Sequence, residues 1–287
     1  MFANFQKQRV RTSGTEIFLR MGGAGPPLLM LHGYPQTHVI WHKIAPALAQ
    51  HFTVILPDLR GYGDSGKPES GANHAPYAKR TMAQDMVEVM AALGFERFKL
   101  VGHDRGARVA HRLAQDHAAR VEKLAVLDIA PTLHMYETTD MRFASAYYHW
   151  FFLIQPNGFP EKLIGDDPAF YLRTKLGAWG RTGDAITPEA QAEYLRCFEK
   201  PETIHATCED YRASAGIDLE HDRANTEKLA MPLLALWGAA GFVGSAYDVL
   251  ATWRDAAQDV RGHAVPGGHF LPEEAPEETL AALLEFL

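Results

Sequence analysis

The chain has 287 residues, 47% hydrophobic and 22% charged, a balance that predicts a compact enzyme-sized unit burying about three quarters of its unfolded surface. Its formal net charge of -7, with basic residues dispersed along the sequence, argues against a nucleic-acid surface; an acidic chain that binds an anion must do so with local arginines. Residues 1–7 lack the apolar stretch of a signal peptide, no run approaches the roughly eighteen apolar residues of a membrane span, and Cys197 and Cys208 lack metal-ligand spacing, so a soluble cytoplasmic protein with free thiols and no metal, cofactor, nucleic-acid or membrane partner is expected.

Apolar runs at residues 27–31 and 52–56 predict the first buried strands. The first leads into His32-Gly33-Tyr34-Pro35 and the second into Asp58-Leu59-Arg60-Gly61-Tyr62-Gly63-Asp64-Ser65. Met82, Met86, Val89 and Leu93 share a helical face, with Gly94 as its stop. A strand at 98–101 runs into Gly102-His103-Asp104-Arg105-Gly106 and a helix-like stretch, and a further strand at 124–127 ends at Asp128. The alternation then ceases. Residues 131–220 are rich in aromatics, including Tyr147-Tyr148-His149-Trp150-Phe151-Phe152, and strand-like runs resume only at 232–237 and 262–265, ahead of Gly267-Gly268-His269-Phe270. Strand–helix repetition implies a mostly parallel central sheet with helices on both faces. The interruption implies an inserted helical cap at 131–220, dividing a core of 1–130 and 221–287.

Asp104 occupies the middle of a strand-to-helix turn that, as G-x-S-x-G, lifts a serine above the sheet in the α/β-hydrolase fold. A carboxylate there is already ionised at neutral pH and suits displacement at a saturated carbon bearing a leaving group. The product is an ester on the protein, which water must open. His269, in a Gly-Gly turn after the last predicted strand, is the candidate base for that step. No acid follows Trp237-Gly238, so Asp128 is the expected orienting group, with Asp248 as the alternative. Backbone N–H groups of Tyr34 and Arg105 are expected to form the oxyanion hole. Arg105 and Arg108 stand in the opening turns of a helix, where the helix dipole disfavours cations. An anion would offset that cost, so a substrate carboxylate held beside Asp104 is expected.

These segments, together with Asp128-Ile129-Ala130-Pro131 and Tyr148-His149-Trp150, resemble the haloacetate dehalogenases, specifically the fluoroacetate dehalogenases, over nearly the whole chain. The resemblance implies that His149, Trp150 and Tyr211 hold the departing halide, that Trp179 lines the pocket, and that the protein forms a homodimer acting on a small haloacid with water as co-substrate. Tyr34 departs from the phenylalanine expected there. Three donors converging on fluoride make chemical sense, because fluoride is small and strongly hydrated. The alternatives are an epoxide hydrolase, which uses the same nucleophile and would draw on Tyr147, Tyr148, Tyr171, Tyr194 or Tyr211, and a non-catalytic small-molecule receptor. Paired arginines disfavour the first, since a neutral epoxide offers them nothing to bind; an intact Asp104-Asp128-His269 set disfavours the second.

Overall fold

A computed structural model describes residues 1–181 and 183–287. Among them, eight strands form one sheet: β1 Gln6–Arg11, β2 Glu16–Gly22, β3 Pro27–Leu31, β4 Thr53–Pro57, β5 Phe98–His103, β6 Val121–Leu127, β7 Leu233–Gly238 and β8 Val260–Val265. Their order is β1-β2-β4-β3-β5-β6-β7-β8. The first two pairings, β1 with β2 and β2 with β4, are antiparallel; every other pairing is parallel. This is the mostly parallel sheet expected from the sequence.

The central strands were legible because both their faces are covered. Leu28, Leu29, Met30 and Leu31 of β3 are fully buried, and a strand buried on both sides needs a continuous apolar run. The β1–β2 hairpin escaped that criterion. β1 reads Gln-Lys-Gln-Arg-Val-Arg and is largely exposed at the sheet edge, so its pairing from Gln6 opposite Met21 to Arg11 opposite Glu16 has no apolar signature. β6 likewise starts at Val121, before the predicted run, through half-buried Glu122 and Lys123.

The helix Lys79–Ala92 buries Met82, Met86 and Val89 and is followed by Gly94 at φ +85°, a left-handed stop favouring glycine. Between β6 and β7 the chain forms helices from Thr132–Glu137 to Ile217–Ala224. Three of these start with a side-chain cap: Asp140 accepts from Phe143 N–H, Asp167 from Phe170 N–H and Thr187 from Ala190 N–H. Phe143, Leu153, Ile164 and Tyr194 from this helical stretch belong to the same hydrophobic core as the sheet. No described helix is long and apolar enough to cross a membrane.

Sheet order positions the site. From β3 the chain crosses to β4 on one side and next joins β5 on the other, so the loops leaving β3 and β5 diverge and open a crevice at the strands' carboxyl ends. Tyr34 follows β3, Asp104 follows β5, Asp128 follows β6 and His269 follows β8, all along that edge.

Candidate active site

Asp104 joins β5 to the helix Arg105–Asp116 with φ 48° and ψ -117°, a conformation rare outside glycine and one that a structure keeps only when its surroundings over-determine it. Its N–H donates to the Leu127 carbonyl (3.3 Å), while its own carbonyl accepts from Ala107 and Arg108 N–H at 3.0 and 3.2 Å. The carboxylate points back toward the loop after β3. A Cβ on Gly33 would lie 2.5 Å from Asp104 Cβ and 2.7 Å from its Oδ1, so only glycine lets the loop come close enough for Tyr34 N–H to donate to Oδ1 at 2.9 Å. Arg105 N–H opens the helix and has no intrahelical acceptor.

Asp128, itself at φ 53°, uses both carboxylate oxygens: Gly238 N–H donates to Oδ1 at 3.0 Å and His269 Nδ1 to Oδ2 at 2.6 Å. That bond places the proton of a neutral His269 on Nδ1 and leaves Nε2 as acceptor. Nε2 is 3.8 Å from Asp104 Oδ2, beyond a hydrogen bond. Burial works to lower the His269 pKa, but the bond and charge of Asp128, with the charge of Asp104, prevail and raise it above 6.5. Burial likewise works to raise the Asp104 carboxyl, and His269, His103, Arg108 and Arg105 outweigh it and hold the group below its ordinary range. Asp248, the alternative orienting acid, is exposed and caps the helix Val249–Ala256 by accepting from Ala251 N–H at 3.0 Å.

The two arginines differ in a way the sequence did not reveal. Arg105 is fully buried and already paired: Nε and Nη2 reach Asp210 at 2.9 and 2.8 Å, and Nη2 also donates to Ser214 Oγ at 2.6 Å. Its remaining nitrogen, Nη1, is buried without a partner among the described residues. Arg108 has no carboxylate partner among the described residues. Its Nη1 donates to Thr132 Oγ1 at 2.9 Å and the Ala130 carbonyl at 3.2 Å, and Nε is buried and unpartnered. Burial, then the neighbouring Arg105, lowers its pKa, while Asp104 opposes that shift. The helix-terminus cost is therefore met within the protein for Arg105 and left open for Arg108.

The helical stretch brings its candidates over this edge. His149 Nδ1, Trp150 Nε1 and Tyr211 Oη are all buried and without a hydrogen-bond partner among the described residues. The His149 and Tyr211 ring centres are 5.6 Å apart, and the guanidinium carbons of Arg105 and Arg108 lie 4.1 Å from the Tyr211 ring and 4.7 Å from the Trp150 ring. Burial, followed by the charge of Lys175, pushes His149 well below 6.5, so its imidazole is neutral. Trp179 stands 4.6 Å from His149 and 5.7 Å from His269, forming a wall between them. Tyr34 adds its hydroxyl to that of Tyr171 at 3.1 Å.

Two supporting residues had no sequence signal beyond their neighbours. His103, adjacent to Asp104 at the end of β5, has its pKa driven to about 3 by burial and then by His269; as a neutral ring it donates from Nε2 to the His269 carbonyl at 2.8 Å. Asp210 anchors Arg105 across 105 positions of sequence, and only its place beside Tyr211 could have drawn notice. No group of three or more His, Cys, Asp or Glu among the described residues is arranged to hold a metal.

A parallel sheet carrying an elbow at β5, a histidine beyond the last strand and an acid bonded to it define an α/β hydrolase. The chain belongs to that family: the family model described as alpha/beta hydrolase fold matches residues 26–276. It is 45% identical to fluoroacetate dehalogenase from Burkholderia sp, over 100% of this chain and 95% of that protein. It is also 37% identical to soluble epoxide hydrolase from Corynebacterium sp. (strain C12), over 92% of this chain and 91% of that one. Among solved structures, ALR0039 from Nostoc sp PCC 7120 superposes with a TM-score of 0.99 at 62% identity, covering 100% of this chain and 99% of that chain. The resemblance first drawn from the motifs thus extends over the full chain.

Proposed function

We propose that this hydrolase converts a haloacetate, fluoroacetate or chloroacetate, to glycolate and halide through an ester on Asp104. The observation that carries this reading is Arg108, a buried guanidinium beside the elbow with no carboxylate partner among the described residues. A substrate carboxylate would complete its charge; a neutral epoxide would leave it unpaired in a dry site. The 45% identity to fluoroacetate dehalogenase supports the same substrate class.

In this mechanism Asp104 Oδ1 rests on Tyr34 N–H, which leaves Oδ2 to attack the α-carbon. As the new C–O bond forms, the carbon–halogen bond breaks and its electron pair departs with the halide, toward the donors of His149, Trp150 and Tyr211. Alkylation removes the Asp104 charge, one of the causes that raise the His269 pKa, so the imidazole becomes easier to hold neutral when a base is required. Water then attacks Cγ of Asp104 while His269 Nε2 takes its proton, and Tyr34 and Arg105 N–H stabilise the oxyanion at Oδ1. Collapse releases glycolate with the former Oδ2, protonated by His269, and leaves the water oxygen in Asp104.

We assign the halide site to an inserted cap at 131–220, over a core of 1–130 and 221–287. Exposed Phe159, Leu163 and Phe170 on its surface are compatible with the homodimer, which light scattering on the purified protein would test. For the reaction itself, the test is halide and glycolate release from fluoroacetate, chloroacetate and a bulkier 2-haloacid, beside ring opening of styrene oxide. Equimolar halide and glycolate from a haloacetate is the expected result. Diol formation from the epoxide without halide release from any haloacid would replace this function by epoxide hydrolysis, the activity named for the Corynebacterium relative.

A further inference from the structure

Lys175 is a buried cation that the mechanism above does not use. It lies on the helix Pro168–Trp179 and is 2% exposed, although Arg173, Thr174 and Gly177 around it face solvent. Burying an ammonium is costly unless something compensates it, and no described carboxylate lies within salt-bridge distance of it; burial lowers its pKa to about 8. Its neighbours are aromatic faces. Nζ is 3.7 Å from the centre of the Tyr148 ring, 5.3 Å from Tyr171 and 5.4 Å from Trp179. Three ring quadrupoles partly replace lost hydration while leaving the charge itself unneutralised.

The position of this charge gives it meaning. Lys175 lines a cleft of about 410 Å³ whose walls include Tyr148, Trp179 and Ala240 and whose floor is His269 and Asp128. Tyr148 and Ala240 are exposed, whereas His269 and Asp128 are buried, so the cleft runs from the surface to the acid–base pair. Trp179 touches both ends of the path, with its ring beside Lys175 and 5.7 Å from His269. An anion drawn into this cleft meets a chain of net charge -7 and, at its buried end, the carboxylate of Asp128, both of which repel it. An unneutralised cation along the cleft lowers that barrier.

We propose that Lys175 is a second anion-binding station, in the cleft between solvent and the buried site, that holds an anion in transit. The proposal rests on the reading of the substrate as a haloacid. Its chemistry fits the entering carboxylate and the departing halide alike, and the two leave different kinetic traces. Lys175→Met keeps the stem against the rings and deletes the charge; Lys175→Arg keeps the charge.

The experiment is steady-state and stopped-flow turnover of chloroacetate by wild type and both variants across ionic strength, with chloride inhibition measured in parallel. Capture of substrate predicts that Lys175→Met loses about tenfold in kcat/KM at low salt, with kcat held, a flatter salt dependence, and recovery in Lys175→Arg. Passage of halide predicts instead a lower kcat behind an undiminished first turnover, with weaker chloride inhibition; either pattern upholds the station. Unchanged kcat/KM, kcat and chloride inhibition in Lys175→Met would overturn it, as would equal losses in both variants accompanied by a lower Tm, which would make Lys175 a packing residue. Wild-type protein that released no halide would break the reading of the reaction, a failure visible before any variant is made.

Discussion

The sheet edge and the helical wall above it treat their polar atoms in opposite ways. At the edge, Asp128 spends both oxygens on Gly238 and His269, Tyr34 N–H holds one oxygen of Asp104, and His103 fixes the His269 carbonyl. On the wall, His149 Nδ1, Trp150 Nε1 and Tyr211 Oη are buried with no partner among the described residues. Buried polar atoms are normally paired, and leaving one unpaired costs about 1–3 kcal/mol. On the proposed function the contrast separates two tasks: the edge would hold reacting groups in fixed geometry, and the wall would keep donors in reserve for charge that develops during reaction. Arg105 and Arg108 repeat the division within one helix, since the first is anchored to Asp210 and the second has no carboxylate partner among the described residues.

The largest effects should come from breaking the edge. His269→Ala is expected to form the ester and fail to open it, so intact mass after incubation with chloroacetate should show one added carboxymethyl group; binding without any adduct would remove His269 from the second step. Asp128→Asn should retain the fold and slow ester hydrolysis by about 10⁴-fold, because an amide can impose the wrong imidazole tautomer. The base must be neutral, and its pKa in the free protein is raised above 6.5. Loss of the Asp104 charge in the ester relaxes that shift, and the rate at which the preformed ester is hydrolysed should fall as pH drops and the imidazole becomes protonated, whereas a hydrolysis rate that does not fall at any acidic pH the folded protein tolerates would exclude His269 as the titrating base.

The wall should yield a smaller but more selective loss. Trp150→Phe keeps the ring and deletes the indole N–H. Loss of one donor to developing charge costs roughly 2.7–4 kcal/mol, and His149 and Tyr211 soften it. The ratio of fluoroacetate to chloroacetate efficiency should drop, since fluoride depends more on donated hydrogen bonds. An unchanged ratio would make Trp150 a packing residue. Smallest is Arg108→Leu, expected to lose about 2–3 kcal/mol of substrate affinity, or roughly 30- to 150-fold in kcat/KM, with little change in Tm. Arg105→Leu should lose activity and Tm together, because it also strips Asp210 of a buried partner; identical behaviour of the two variants would erase the distinction between them.

What the sequence revealed follows the same division. Asp104 and His269 stand in glycine-bracketed turns after apolar strands, and those local signals led to the right edge of the sheet; Asp128 followed from the lack of an acid after β7. The central strands were legible because both faces are buried. The β1–β2 hairpin was not, since its outer strand is polar and is specified by its pairing with β2. Asp210, His103 and Lys175 were equally hidden. Asp210 acquires its role through contact with Arg105, 105 positions away, and Lys175 through the ring of Tyr148, which joins Tyr171 and Trp179 of its own helix. No local periodicity encodes the meetings with Arg105 and Tyr148. The unpartnered state of His149, Trp150 and Tyr211 also belongs to three-dimensional packing alone.

The central claim is that Asp104 itself becomes the ester. One turnover of chloroacetate by excess protein in oxygen-18 water, followed by peptide mass spectrometry and analysis of the glycolate, tests it most directly. Water attack at Cγ predicts heavy oxygen in the peptide carrying Asp104 and unlabelled glycolate from that first turnover. Heavy oxygen in the glycolate with none on Asp104 would contradict the ester and make water the direct nucleophile.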